Sequence, residues 1–196
     1  MGYYIRVLGK KLDNIPTEEM RRVIQPAVLH SAEEGDAWDQ LTLAHKSGQE
    51  IAVIEKNPVL EGQLGAEELQ EFIDEILDYK PESAAAWLQQ YLPGVKVIYA
   101  FQLLDGTDVE DGWTPLRRLY SAVWGHAEGI LQADGEGFSD EDGYTILWQF
   151  SDRVTGKWNM GVLKDGRWIH FEMDLGSEHH RNAFLRGEVP DGAKVI

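Results

Sequence analysis

The stretch VKVIYAFQLL, Val95 to Leu104, decides the fold. β-branched and aromatic residues dominate it, a composition typical of a buried strand. The preceding segment SAAAWLQQYL has apolar residues at helical spacing and ends at Pro93-Gly94, which predicts a helix directly before the strand. Beyond the strand, Thr114-Pro115 combines a capping residue with a proline suited to the first helical turn. A strand between two helices predicts a mixed α+β fold.

The order of predicted elements repeats on the two sides of residues 81–94. Residues 1–80 predict a strand, a helix, about three strands and a helix, whereas residues 95–196 predict a strand, a helix, an antiparallel meander of four strands and a helix. RRVIQPAVLHSAEEG in the first half resembles RRLYSAVWGHAEGILQADGEG in the second, since each carries an Arg pair before an acidic strand end. We therefore predict an α+β protein of two similar halves, an internal duplication with mainly antiparallel sheets backed by helices. Residues 81–94 would form the linking helix.

The chain is strongly acidic and lacks cysteine. Its 196 residues carry a formal net charge of −16, with no Cys. Disulfides, zinc-thiolate sites and cysteine nucleophiles are thereby excluded. A nucleic acid or an anionic membrane would be repelled, whereas a basic protein would be attracted. The start of the chain lacks a signal-peptide pattern, and no run approaches the roughly 18 apolar residues of a membrane helix, so we expect a cytoplasmic protein.

Two segments account for nearly all of the net negative charge. Residues 55–78 carry eight acids and one Lys, and residues 105–142 carry ten acids and two Arg. Within the first segment, the spacing of Leu69, Phe72, Ile73, Ile76 and Leu77 predicts the buried stripe of a helix whose remaining surface is acidic. That surface is either a solvated helix face or a docking face for a basic partner. The candidate contact residues are Glu67, Glu68, Glu71, Asp74 and Glu75, together with Asp108, Glu110, Asp111 and the anchor Trp113.

The acidic stretch ADGEGFSDEDG, Ala133 to Gly143, raises the question of a metal site. Both alignments to the EF-hand loop fail, because Phe or Gln falls at the first position and Gln or Gly falls at the last in place of Glu. A looser hard-cation site would use Asp134, Glu136, Asp140 and Asp142. The alternative is a lengthened hairpin loop of the second half, placed where SAEEGDA stands in the first. No histidine falls at a known metal-binding spacing.

The motifs of common enzymes are missing, so no catalytic residue and no cofactor are predicted. GxSxG, the P-loop and a GxGxxG after a strand are all absent from the sequence. Our first hypothesis is an acidic protein-binding module, immunity-like or adaptor-like, that docks a basic protein. The alternative is a small-molecule enzyme or ligand binder with a site between the two halves. The aromatic run YTILWQF would also allow a homo-oligomer if one face of its strand were exposed.

Several segments together are similar to an uncharacterised family of bacterial proteins: YYIRVLG, WDQLTLAH, VIYAFQLL and ILQADGEGF. The resemblance covers nearly the whole chain. It implies no known activity and no catalytic residues. Small acidic bacterial α+β proteins rich in Trp also look like many toxin-immunity proteins, which is a likeness of type rather than of motif.

Overall fold

The computed structural model describes residues 2–31 and 37–196 and confirms an α+β fold. Most of SAEEGDA lies outside the described residues. The described helices are α1 (Thr17–Val23), α2 (Leu64–Glu75), α3 (Glu82–Tyr91), α4 (Trp113–Ala127) and α5 (Glu178–Leu185). The described strands are β1 (Tyr4–Gly9), β2 (Val28–Ser31), β3 (Gln40–Ala44), β4 (Glu50–Pro58), β5 (Val97–Leu103), β6 (Gly129–Ala133), β7 (Gly137–Ser139), β8 (Thr145–Trp148), β9 (Lys157–Lys164), β10 (Arg167–Asp174) and β11 (Lys194–Val195). None of these helices is long and apolar enough to cross a membrane.

The chain divides into two compact units. The first comprises Met1–Glu67 and Val95–Gly129, and the second comprises Glu68–Gly94 and Ile130–Ile196. Residues 95–129 therefore belong with the first unit, although they open the predicted second half. The reason is that β5 pairs with β1 and β4, so the strand that follows the linking helix completes the sheet of the first unit. The internal duplication stays a prediction.

The sheet of the first unit is built around β5. Its strand order is β1-β5-β4-β3-β2, and every pair is antiparallel. The first five residues of β5 are buried, which confirms the strand predicted from VKVIYAFQLL. Tyr99 of β5 packs its ring 5.8 Å from that of Trp38, and burial raises the pKa of Tyr99 to about 12. Lys46, Ser47 and Gly48 lie in the turn of the hairpin that joins β3 to β4.

The second unit carries the order β6-β7-β8-β9-β10-β11. Two features differ from the predicted antiparallel meander of four strands. The stretch ADGEGFSDEDG, predicted as one lengthened hairpin loop, contains β7, so ADGEG and SDEDG are two separate turns. In addition, β8 and β9 pair in parallel, because the connection 149–156 returns the chain before β9 begins. The β9–β10 hairpin is as predicted, with positive φ at Asp165 (51°) and Gly166 (75°).

Side chains cover both faces of β10 in the second unit. On one face, Phe171 and Met173 join a buried cluster that includes Phe184 of α5. On the other face, the ring of Trp168 lies 5.3 Å from that of Trp87 in α3. Apolar side chains are therefore packed on both faces of β10.

The buried stripe of α2 is shorter than predicted. Leu69, Phe72 and Ile76 are buried, but Leu77 is 62% exposed. The chain tightens into a 3₁₀ turn over Ile76–Asp78, and this change of pitch rotates Leu77 away from the core. The prediction of Leu77 as a core residue was wrong for that reason.

Two glycines near the end of α4 provide a matched test of the packing. A Cβ on Gly129 would lie 2.0 Å from the carbonyl oxygen of Leu8, whereas a Cβ on the helical Gly125 would meet nothing within 4 Å. We expect Gly129→Ala to lower the free energy of unfolding by about 2 kcal/mol or more, because backbone must move. Gly125→Ala should raise it by about 0.5–1 kcal/mol through helix propensity. Urea denaturation of both variants measures the two changes, and equal changes would contradict the close approach of Gly129 to Leu8.

Candidate functional site

The exposed side of α2 carries a row of carboxylates, here called the acidic face: Glu67, Glu71, Asp74 and Glu75. All four are exposed, whereas the fifth predicted acid, Glu68, is half-buried. At 3.6 residues per turn, the four fall within an arc of about 100°, opposite the buried Leu69, Phe72 and Ile76. The helix therefore separates an apolar face, which holds it in the core, from an acidic face directed to solvent.

The acidic face is electrostatically unfavourable for the helix itself. Glu67, Glu71 and Glu75 follow one another at spacings of four residues, and like charges at that spacing destabilise a helix by roughly 0.2–0.5 kcal/mol per pair. The last turn contains no basic residue, so Asp74 and Glu75 lie at the negative end of the helix dipole. Gln70 donates a hydrogen bond of 2.9 Å to Asp74, which offsets a small part of this cost. A positive group bound here would relieve the repulsion.

Apolar side chains are also exposed at the two ends of this helical segment. Leu64, the first residue of α2, is 58% exposed, and Leu77 in the following 3₁₀ turn is 62% exposed. Asp78 beside it is exposed as well. The surface thus combines several negative charges with accessible aliphatic groups.

The other predicted contact residues lie in the first unit, at the entry to α4. Asp108, Glu110 and Asp111 are all exposed, and Trp113, the first residue of α4, is 44% exposed. The loop is tightly held, because a Cβ on Gly112 would lie 2.2 Å from the carbonyl oxygen of Gly106. These residues belong to the first unit, whereas Glu71, Asp74 and Glu75 belong to the second.

Asp140, one of the predicted metal ligands, is a buried carboxylate in the turn between β7 and β8. Only 2% of its surface is exposed. Its Oδ1 accepts the backbone N–H groups of Asp142 at 3.1 Å and Tyr144 at 2.9 Å. Its Oδ2 lies 2.6 Å from Nε2 of His170. Both oxygens therefore have protein partners, as a buried carboxylate requires.

His170 is the partner that the sequence did not indicate. It lies on β10, where its ring stacks on Tyr144 with centroids 3.8 Å apart and an angle of 7° between the planes. Gly161 on β9 pairs with it across the sheet, and a Cβ there would lie only 3.3 Å from the imidazole. Because side chains alternate along a strand, the sequence does place His170 on the face of β10 opposite to that of the buried Phe171. No spacing rule links it to an aspartate 30 residues earlier, since the turn and the strand meet only through the sheet.

The structure brings together two of the four predicted cation ligands. Asp140, Asp142 and His170 place ligand-type atoms within 4.8 Å of one another. Asp134 and Glu136 belong instead to the turn between β6 and β7, outside this group. A hard-cation site made of all four carboxylates stays a prediction. The described contacts of Asp140 support a structural role, in which the carboxylate orders its own turn and holds His170.

The same turn is attached to α3 through a tyrosine. Tyr91 donates a hydrogen bond of 3.1 Å to the carboxylate of Glu141, and its ring stacks on Trp87 at 4.7 Å. Burial raises the pKa of Tyr91 above its usual range, and the neighbouring charge of Glu141 adds to the effect. The tyrosine therefore stays a neutral donor at physiological pH.

The structural role of Asp140 can be tested by comparison with its exposed neighbour. We expect Asp140→Ala to lower the free energy of unfolding by about 2–4 kcal/mol, because buried donors lose their acceptor. Asp142→Asn should change it by less than about 0.5 kcal/mol, since that side chain is exposed. Chemical denaturation monitored by tryptophan fluorescence gives both values. A small effect of Asp140→Ala would contradict the assigned role.

Comparisons with known proteins identify no relative of this chain. No family model matches it, and neither a curated protein nor a solved structure does. The resemblance to an uncharacterised bacterial family therefore stays a prediction.

Proposed function

We propose that the chain is a protein-binding module that docks a basic protein segment on the acidic face of α2. The observation that carries this proposal is the alignment of Glu67, Glu71 and Glu75 along one exposed side of a helix that has no basic residue in its last turn. Such an arrangement costs stability in the isolated chain, and a cationic partner removes that cost.

The spacing of the acids favours a polypeptide over a metal ion. Glu67 and Glu75 are eight residues apart, which corresponds to about 12 Å along a helix. Oxygen ligands bind calcium at about 2.3–2.6 Å, so one ion cannot contact both carboxylates. A helix or strand that presents several Lys or Arg side chains can pair with all of them.

The overall charge favours the same class of partner. At a net charge of −16, the chain attracts cationic surfaces over long distances and repels nucleic acids. The exposed Leu64 and Leu77 supply apolar contacts that would add short-range affinity to this attraction. A partner with Lys or Arg and aliphatic side chains on one face fits these features. An immunity protein or an adaptor would bind its partner in this way.

Neutralising the acidic face should weaken binding and stabilise the free chain at the same time. We expect the triple variant Glu71→Gln/Asp74→Asn/Glu75→Gln to bind an amphipathic Lys- and Leu-containing peptide at least tenfold more weakly than the wild type. Its free energy of unfolding should rise by about 1 kcal/mol, because repulsion along α2 and with the helix dipole is removed. Fluorescence anisotropy at low and physiological salt, together with urea denaturation, measures both effects.

The control variant Asp152→Asn/Asp165→Asn/Asp191→Asn removes the same number of exposed negative charges away from α2. It should weaken peptide binding by no more than about twofold, since only the long-range attraction changes. Equal losses in the two variants would mean that the peptide responds to net charge alone. That result would refute the proposed docking face.

A further inference from the structure

The first unit carries a groove whose charge is opposite to that of the chain as a whole. It begins with a cavity of about 650 Å³. An adjoining cavity of about 540 Å³ shares Gln25, Pro26, Ala27 and Lys46 with it. We call the two together the basic groove. The end of α1, the start of β2, the β3–β4 turn and the start of α4 form its walls.

The cations of the basic groove come from three different elements. Arg21 lies in the last turn of α1, Lys46 in the β3–β4 turn, and Arg118 on α4. Arg118 donates a hydrogen bond of 3.1 Å from Nη1 to the carbonyl oxygen of Gln25, which fixes the guanidinium at the wall. Among the residues that the structure describes, Arg21 and Lys46 have no hydrogen-bonding or ion-pair partner. Their donors are thus available to a ligand.

The charge of the basic groove differs between its two ends. At one end, the larger cavity is lined by Arg21, Lys46 and the exposed His30, with no acidic residue among its lining. At the other end, Glu110 and Asp111 join the lining of the smaller cavity. A negative group would be repelled by Glu110 and Asp111 and attracted toward the larger cavity, which is lined by Arg21 and the shared Lys46.

The floor at the basic end is apolar. Ala27, Val28 and Leu29 line it where α1 leads into β2. A small apolar surface beside a few convergent polar donors is the usual construction of a small-molecule site, and cavities of roughly 300–1,000 Å³ accommodate such ligands. A ligand with an anionic group and a short carbon chain can pair with the cations and also contact this apolar surface.

We propose that the basic groove binds a small organic anion, whose phosphate or carboxylate group is held by Arg21 and Lys46 and whose carbon portion lies on Ala27 and Val28. Arginine pairs with either oxyanion through two parallel hydrogen bonds, and lysine adds a point charge. The inference does not depend on the docking of a basic protein at α2, since it concerns different residues and a ligand of opposite charge.

The net charge of the chain makes this proposal easy to test. A molecule with a net charge of −16 repels small anions in general, so nonspecific attraction does not favour their binding. Saturable binding of an anion at low ionic strength therefore requires a local cluster of cations. Inorganic pyrophosphate and succinate are suitable probes, because they offer phosphate and carboxylate groups respectively.

The experiment is a titration of the full chain with each probe by isothermal calorimetry and by two-dimensional amide NMR. We expect saturable binding of at least one probe, with shifts centred on the amides of residues 27–30 and 46. The probe that binds more tightly identifies the head group. The variant Arg21→Gln/Lys46→Gln should bind at least tenfold more weakly while keeping the amide spectrum of a folded chain.

The matched control is Arg153→Gln/Lys164→Gln, which removes two exposed cations from the second unit. It should change the affinity by less than twofold. The proposal is overturned if neither probe binds, if the shifts lie outside the basic groove, or if both variants lose affinity equally.

Discussion

A strand that is buried along most of its length must have its backbone groups paired on both sides, and this requirement organises the first unit. β5 meets it with β1 on one side and β4 on the other, each through a full antiparallel ladder. The hairpin from β4 to β3 and the pairing of β3 with β2 then extend the sheet. Because β2 follows α1 after a short turn, the same pairing positions the end of α1 beside the β3–β4 turn. The strand pairing that satisfies the backbone hydrogen bonds of β5 therefore also brings together the elements that form the basic groove.

Much of the fold could be predicted because the local signals agree with the tertiary structure. The apolar periodicity of α3 indicates a helix with one buried side, Thr114-Pro115 indicates the start of α4, and the continuous apolar run of β5 indicates a strand buried on both faces. The failures have tertiary causes. β7 is too short to show a period of its own, and the tightening of the chain after Glu75 turns Leu77 to solvent. His170 could not be linked to Asp140 because only the sheet brings them together.

The two candidate sites also differ in how far the sequence could predict them. Exposure of the acids on α2 could be predicted, since helical periodicity assigns Glu71 and Leu69 to opposite sides of the helix. The basic groove could not, because Arg21, Lys46 and Arg118 belong to distant parts of the sequence and are minor contributors to a strongly acidic composition. The net charge determines the long-range electric field of a protein, whereas binding depends on where the few residues of opposite charge lie close together. The two proposed surfaces accordingly suit ligands of opposite sign.

The proposed docking of a basic partner on the acidic face of α2 can be located along the backbone by amide hydrogen exchange of the wild-type chain, measured with and without a saturating amphipathic Lys- and Leu-containing peptide. We predict slower exchange over residues 64–78 in the bound state, with the acidic loop 105–113 unchanged. Protection centred on 105–113, or spread evenly over every acidic segment, would refute docking on the acidic face.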